Sequence, residues 1–167
     1  GRVSIGSLEG STLQIQEVHR FKHEAHAHSD GALRWEWDTI VEEVIRGLHK
    51  AQEFGEIVSI GIDTWAVDYG LLDSNGNLIE QPYCYRDSRT DGFMKSISDS
   101  LGAEWIYQRT GIQFIFFNTA YQLHAARLTE SLKNSQTFLL LPDLLNYHFS
   151  GVKSCDVTNA STTQLLN

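Results

Sequence analysis

The stretch IVSIGIDTWAVDYGLL, Ile57–Leu72, constrains the fold most strongly. It opens as a continuous apolar run, the pattern of a buried strand, and turns polar at Asp63, Thr64 and Asp68. The pattern predicts a strand over Ile57–Asp63 and a second extended segment over Val67–Leu72. DSNGN, Asp73–Asn77, follows as a hairpin turn signal. A carboxylate at a strand end can act as a general base, hold a metal or hydrogen-bond a hydroxyl-rich ligand. It can equally cap a turn or accept backbone N–H groups. Asp63, directly after the apolar run, suits the turn role. Asp68 is flanked by Trp65 and Tyr69, and aromatic surface beside a hydrogen-bonding carboxylate is what a sugar ring needs. Ala66 is small enough for backbone to approach a ligand closely.

The rest of the chain supplies partners for such a strand. Val3 and Ile5 alternate with polar residues, LEGST turns, and Leu13 and Ile15 alternate again, predicting a strand meander. WEWDTIVEEVIRGLHKAQEFG switches period. Ile40, Val41, Val44, Ile45 and Leu48 share one helical face, with Thr39 and Glu42 as a capping box and Gly55 as a stop. SRTDGFMKSISDSLGAEWIYQRTG predicts helix broken near Gly102, and NTAYQLHAARLTESL a further amphipathic helix. TFLLL is a short buried strand, and PDLLNYHFSG a helix with Pro at its start and Gly after its end. SCDVTNASTTQLLN is expected to form caps and turns. The alternation implies an α/β class. Such sheets place ligands beyond the carboxyl ends of their strands, where Asp63 to Asp68 lie.

Charge and composition narrow the function. A formal net charge of −8 over 167 residues, with no basic cluster, argues against a nucleic-acid phosphate track. Cys84 and Cys155 form no C-x-x-C pair, which fits a reducing cytoplasm. No apolar run approaches a membrane span. The chain begins GRVSIG without an initiator Met and stops at TTQLLN in mid-pattern, so it is expected to be a piece of a longer protein.

Other clusters are less decisive. YRDSRTDG, Tyr85–Gly92, can bind an anion or polyol, or satisfy its own charges with Arg86 or Arg89 paired to a nearby carboxylate. HEAHAH, His23–His28, has no thiolate nearby and reads as a solvated loop rather than zinc ligands. In GIQFIFFNTAYQL most apolar residues belong to a core, while Phe117 and Asn118 at the helix junction could face a ligand. No P-loop, G-x-G-x-x-G, G-x-S-x-G or H-E-x-x-H is present.

Taken together, HRF, GIDTWAVDYGLLD, YRDSRT, IYQRTGIQF, FNTAYQL, LLPDLLNYHFSG and TNASTTQL resemble the FGGY carbohydrate kinases, and within them the rhamnulokinases. The resemblance covers nearly the whole chain in order. It implies a ribonuclease H-like α/β domain of the actin and hexokinase type, a mixed sheet flanked by helices with its first strand largely missing here, and a cleft shared with a second domain. Residues 1–167 would be part of the N-terminal, sugar-binding domain, without the C-terminal ATP-binding domain of the same chain. The implied reaction transfers the γ-phosphoryl of ATP, with Mg2+, to O1 of L-rhamnulose. The general-base aspartate is expected beyond Asn167, so neither Asp63 nor Asp68 is catalytic, and the fragment alone should be inactive. The implied sugar-side residues are Trp65, Ala66, Asp68, Arg86, Phe117 and Asn118. Ala66 stands where these kinases often have Gly. Gly1 and Arg2 match the end of the phosphate-binding hairpin, and no metal ligand is expected within the chain. The alternatives are a kinase for another ketose such as L-fuculose and a non-catalytic sugar-binding domain. Loss of a first strand should also expose a sheet edge and promote association.

Overall fold

Alternating apolar residues at the N-terminus build a hairpin in the computed structural model, which describes residues 1–167. Strands β1 (Arg2–Glu9) and β2 (Thr12–Arg20) pair antiparallel, with a register shift between Val3 and Ser4. Helix α1 (Trp37–Gln52) packs on this hairpin. Gly47 makes the approach possible: a Cβ there would lie 2.4 Å from Val3 Cγ2. His19 reaches from β2 to Glu43 of α1, Nε2 to Oε2, at 2.6 Å. These elements, with residues 53–61, form one compact unit, Gly1–Ala25 with Glu36–Gly61.

Two expectations for this unit fail. The Thr39–Glu42 capping box does not form: α1 starts at Trp37, so both residues lie inside the helix, and Glu36 is the N-cap without a side-chain cap bond. The predicted strand over Ile57–Asp63 is not a strand. It has no ladder partner, and Val58 is 88% and Ile60 52% exposed. An apolar run gains little from an extended conformation when no neighbour covers its faces or takes up its backbone hydrogen bonds.

The second unit comprises His26–Trp35 and Ile62–Asn167. Strand β3 (Ala25–Ala27) pairs with β4 (Leu33–Trp35). Beside β4 runs the segment 82–84, where Trp35 N donates to the Pro82 carbonyl and Cys84 N to the Leu33 carbonyl. Strand β5 (Tyr69–Leu72) pairs antiparallel with β6 (Thr137–Leu140), Tyr69 opposite Leu140 and Leu72 opposite Thr137. All four residues of β5 are buried. Tyr69, Leu71 and Leu140 form a core, lined by Ile79, Leu123, Leu132 and Phe138. The strands thus pair in three two-stranded sheets.

The predicted helices flank these strands. After a short 3-10 turn at Ser88–Thr90 come α2 (Phe93–Leu101) and α3 (Ala103–Thr110), broken at Gly102 as the sequence suggests. NTAYQLHAARLTESL yields two helices instead of one, α4 (Thr119–Ala126) and α5 (Glu130–Asn134). Thr129 makes the break by capping α5, its hydroxyl accepting from Leu132 N. Helix α6 (Leu141–Ser150) has Pro in its first turn and ends at Gly151, at φ 70°. Asp156 caps the short α7 (Val157–Ser161) by accepting from Asn159 N. The DSNGN turn forms around the Asp73 carboxylate, which accepts from Asn75 N and Asn77 N. Gly76 in that turn sits at φ 85°, a conformation that favours glycine.

Candidate functional site

Asp68 lies just before β5 and is 0% exposed. Burying a carboxylate is expensive unless its oxygens are satisfied. Here Oδ2 accepts from Trp35 Nε1 at 2.6 Å, Trp65 Nε1 at 2.8 Å and the Tyr85 amide at 3.2 Å, and Oδ1 accepts from Gln122 Nε2 at 3.1 Å. Burial pushes the Asp68 pKa up, while hydrogen bonds from Trp35, Trp65, Gln122 and Tyr85 act against it. All four partners are donors, so they offset part of the cost of burying the charge without outweighing it.

This carboxylate organises aromatic surface. Two indoles converge on one oxygen, which fixes the Trp35 and Trp65 rings with centroids 4.7 Å apart. Tyr85 continues the row, 6.3 Å from Trp35 and 5.1 Å from Phe117. Exposed Arg86 lies over the Tyr85 ring at 5.4 Å, and its Nε donates to the Tyr85 hydroxyl. The result is an arc in which Trp65, Tyr85 and Phe117 are partly exposed and Trp35 is buried, with a cation at one edge and a buried anion beneath. Such a surface can stack on the apolar face of a polyol and hydrogen-bond its hydroxyls.

The backbone beside this arc is strained. Val67 sits at φ 73°, and Asp68 N donates to the Ala66 carbonyl across it. An i→i+2 hydrogen bond about a residue at positive φ marks a γ-turn of the rare kind. For a β-branched residue this costs on the order of 1–3 kcal/mol and persists only when neighbours enforce it. The neighbours come from α4. The Thr119 hydroxyl donates to the Val67 carbonyl at 2.8 Å, and Gln122 Nε2 approaches the same oxygen at 3.2 Å. Gln122 Nε2 also reaches the Phe117 carbonyl at 3.0 Å, and Gln122 Oε1 accepts from Arg89 Nη2 at 2.8 Å. Arg89 in turn lies over the Tyr83 ring, its guanidinium carbon 3.6 Å from the centroid.

The structure brings Trp65, Ala66, Asp68, Arg86 and Phe117 into one region. Trp65, Ala66 and Phe117 are partly exposed, whereas Asp68 lies below the surface with its hydrogen-bonding capacity taken up. Asn118 is buried as well, and its amide donates to the Gln113 carbonyl and to Gln164 Oε1. Asp63 is exposed, and the turn it was expected to brace is held by Thr119 and Gln122. Gly1 and Arg2 belong to the other unit, at the start of β1, with Arg2 opposite Arg20. Three contributors escaped the sequence reading: Trp35, Tyr85 and Gln122. Tyr85 opens the YRDSRTDG cluster, and Gln122 lies one turn beyond Asn118 on α4. Nothing local marks Trp35. A separate cavity of about 700 Å³ opens among α2, α3, α4 and the last residues, lined by Leu101, Trp105, Tyr121 and Gln164 among others. No residue of the aromatic arc lines it. The chain has no group of three or more His, Cys, Asp or Glu placed to hold a metal ion, and no helix long and apolar enough to cross a membrane.

The fold of this chain is shared with kinases of known structure. A ligand-bound xylulose kinase from Lactobacillus acidophilus superposes with a TM-score of 0.77 at 16% identity, covering 93% of this chain and 32% of that one. Plasmodium falciparum glycerol kinase with ADP gives 0.73 at 18% identity, covering 93% and 33%. These likenesses establish the ribonuclease H-like fold of the actin and hexokinase type. Residues 8–167 match the FGGY family of carbohydrate kinases, N-terminal domain, and the chain belongs to that family. Among curated relatives, a rhamnulokinase of Mannheimia succiniciproducens is 44% identical across the whole chain, which spans 36% of that protein. A rhamnulokinase of Bacillus subtilis is 42% identical, again across the whole chain and 34% of the relative. The chain thus spans only about a third of the relatives it matches.

Proposed function

We propose that the protein carrying this chain is an ATP-dependent ketose kinase of the cytoplasm that phosphorylates O1 of L-rhamnulose. In this reading residues 1–167 are part of an N-terminal, sugar-binding domain, and a C-terminal domain supplies the adenosine site and the general-base aspartate. The observation that carries it is the arc of Trp65, Trp35, Tyr85 and Phe117 set on the buried Asp68 carboxylate. The identity to rhamnulokinases over the whole chain supports the choice of sugar.

The residues divide the work by position. Trp65 and Phe117 offer ring faces to the sugar, and Ala66 offers backbone where a larger side chain would intrude. Arg86 supplies donors at the rim. Asp68 acts from beneath by holding the two indoles, and Asn118 anchors the start of α4. Gly1 and Arg2 contribute to the phosphate-binding hairpin. Magnesium accompanies ATP in this chemistry, offsetting charge on the transferred phosphoryl group. Such an ion is held largely through the phosphates of the nucleotide.

The test is a coupled ADP-release assay on the full-length protein over L-rhamnulose, L-fuculose, L-ribulose and D-xylulose. The expected result is a kcat/KM for L-rhamnulose at least tenfold above the others. Preference for another ketose would reassign the sugar, and no turnover of any would leave a binding domain. The isolated chain should show no ATP-dependent phosphorylation, which the same assay measures.

A further inference from the structure

Nothing in the sequence marks Gln122, yet it is the side chain that ties the candidate site together. It is 1% exposed and projects from α4. Its amide nitrogen shares two hydrogens among the Val67 carbonyl, Asp68 Oδ1 and the Phe117 carbonyl, at 3.0 to 3.2 Å. Its amide oxygen accepts from Arg89. It therefore touches the strained turn, the carboxylate that sets the indoles, and the backbone of the last ring in the arc.

We infer that Gln122 is a positioning residue, holding the Ala66–Asp68 turn in the conformation that faces the sugar. The inference rests on the proposal above that this loop lines a ketose site. The turn needs such a clamp because Val67 at φ 73° would relax to negative φ if released. Relaxation would swing the peptide planes on either side of Val67, and with them the Ala66 backbone. Thr119 grips the same carbonyl but reaches no other part of the arc. Only Gln122 couples the turn to Asp68 and Phe117. A buried glutamine could also serve packing alone, and the two roles differ in what glycine at position 67 would do. Glycine adopts positive φ at no steric cost, so it should restore a turn that has lost its clamp, and should do nothing for a packing defect.

The test is steady-state kinetics on the full-length protein. Gln122→Met keeps the volume and removes the amide. It should raise the KM for the ketose roughly tenfold, since small misplacements at a site are costly, and leave the KM for ATP within about twofold of the parent. Adding Val67→Gly should recover at least about threefold of that loss. An unchanged ketose KM, an equal rise in both KM values, or no recovery with Val67→Gly would each overturn the inference. Gln122→Leu, which also lacks the amide, should repeat the pattern if Gln122→Met is poorly folded. Failure of both to fold would assign Gln122 to the core and overturn the inference too. Phe117→Ala separates this inference from the proposal beneath it. If Phe117→Ala raises the ketose KM and Gln122→Met does not, only the positioning role fails. If Phe117→Ala also leaves the ketose KM unmoved, the ketose site itself is wrongly placed.

Discussion

Two apolar segments lie on either side of Thr64–Ala66, and they meet opposite fates. Tyr69–Leu72 is buried at every position and paired with β6. Residues 57–61 are at least as apolar in pattern but form no ladder and stand largely in solvent. Hydrophobicity alone does not separate them. The difference is the neighbour: β6 and α6 cover β5, and Gly70 lets Leu144 and Leu78 close over it, since a Cβ there would lie 2.6 Å and 2.8 Å from their methyl groups. A strand is a property of a pair, and a sequence window shows one member of it.

The contrast is sharpened most by truncating one side chain from each segment. Leu72 is 1% exposed and Val58 is 88% exposed. Leu72→Ala should cost about 2–5 kcal/mol, the range for a leucine in a core that cannot collapse around the cavity. Val58→Ala should change stability by no more than about 0.5 kcal/mol. Urea denaturation of both variants decides it, and equal costs would remove the distinction drawn here.

The next effect in size is at Asp68, where the buried segment begins. Asp68→Asn keeps the shape but turns one acceptor into a donor. If the amide oxygen meets the two indoles and the Tyr85 amide, the new NH2 faces that of Gln122. One buried donor is then left unpaired, at a cost of about 1–3 kcal/mol. Tryptophan emission should shift as Trp35 and Trp65 lose their shared anchor. An unchanged spectrum with full stability would mean that the carboxylate is not what orients them.

The pH dependence of that cost is a smaller effect with a definite sign. Burial raises the Asp68 pKa in the folded chain above its unfolded value near 3.8. The folded state therefore holds this proton to higher pH than the unfolded state does. The Asp68 contribution is fully present below about pH 4 and is lost as pH rises through the folded value. Other carboxyls act in reverse. The Arg34 hydrogen bond depresses Asp30, and the Asn77 amide depresses Asp73, so their contributions are lost as pH falls. Comparing Asp68→Asn with the parent at each pH cancels those terms. The destabilisation should shrink as pH is raised from 4 to 7 in denaturation curves at fixed salt. A penalty that grew over that range would mean that the hydrogen bonds outweigh burial.

What the sequence made legible follows the same divide. Segments whose evidence is local were read correctly: the β1–β2 hairpin, the amphipathic face of α1, the break at Gly102, the Asp73 turn, and the Pro and Gly that bracket α6. Trp65 and Asp68 were also paired correctly, because a single turn of chain joins them. Long-range partners were not visible. Trp35 reaches Asp68 across 33 residues and Gln122 across 54, and no pattern in either segment announces the contact. The Val67 turn was invisible for another reason, since a β-branched residue is the last one expected at positive φ. Tertiary hydrogen bonds override the local preference there.

The smallest effect on stability tests the exposed segment for a different consequence. Val58 and Ile60 present apolar side chains without a covering layer. An unpaired apolar run of this kind invites pairing between copies. Replacing both residues by Lys should leave folding stability within about 0.5 kcal/mol of the parent, since Val58 buries little surface and the aliphatic stem of Lys can cover what the half-exposed Ile60 covers. It should nevertheless reduce concentration-dependent association of the chain, because like charges would face one another along the run. Sedimentation velocity over a concentration series measures this directly. If the double variant associates as strongly as the parent, the exposed run is not the contact surface. If it unfolds, the run contributes to the core, and its contrast with Tyr69–Leu72 disappears.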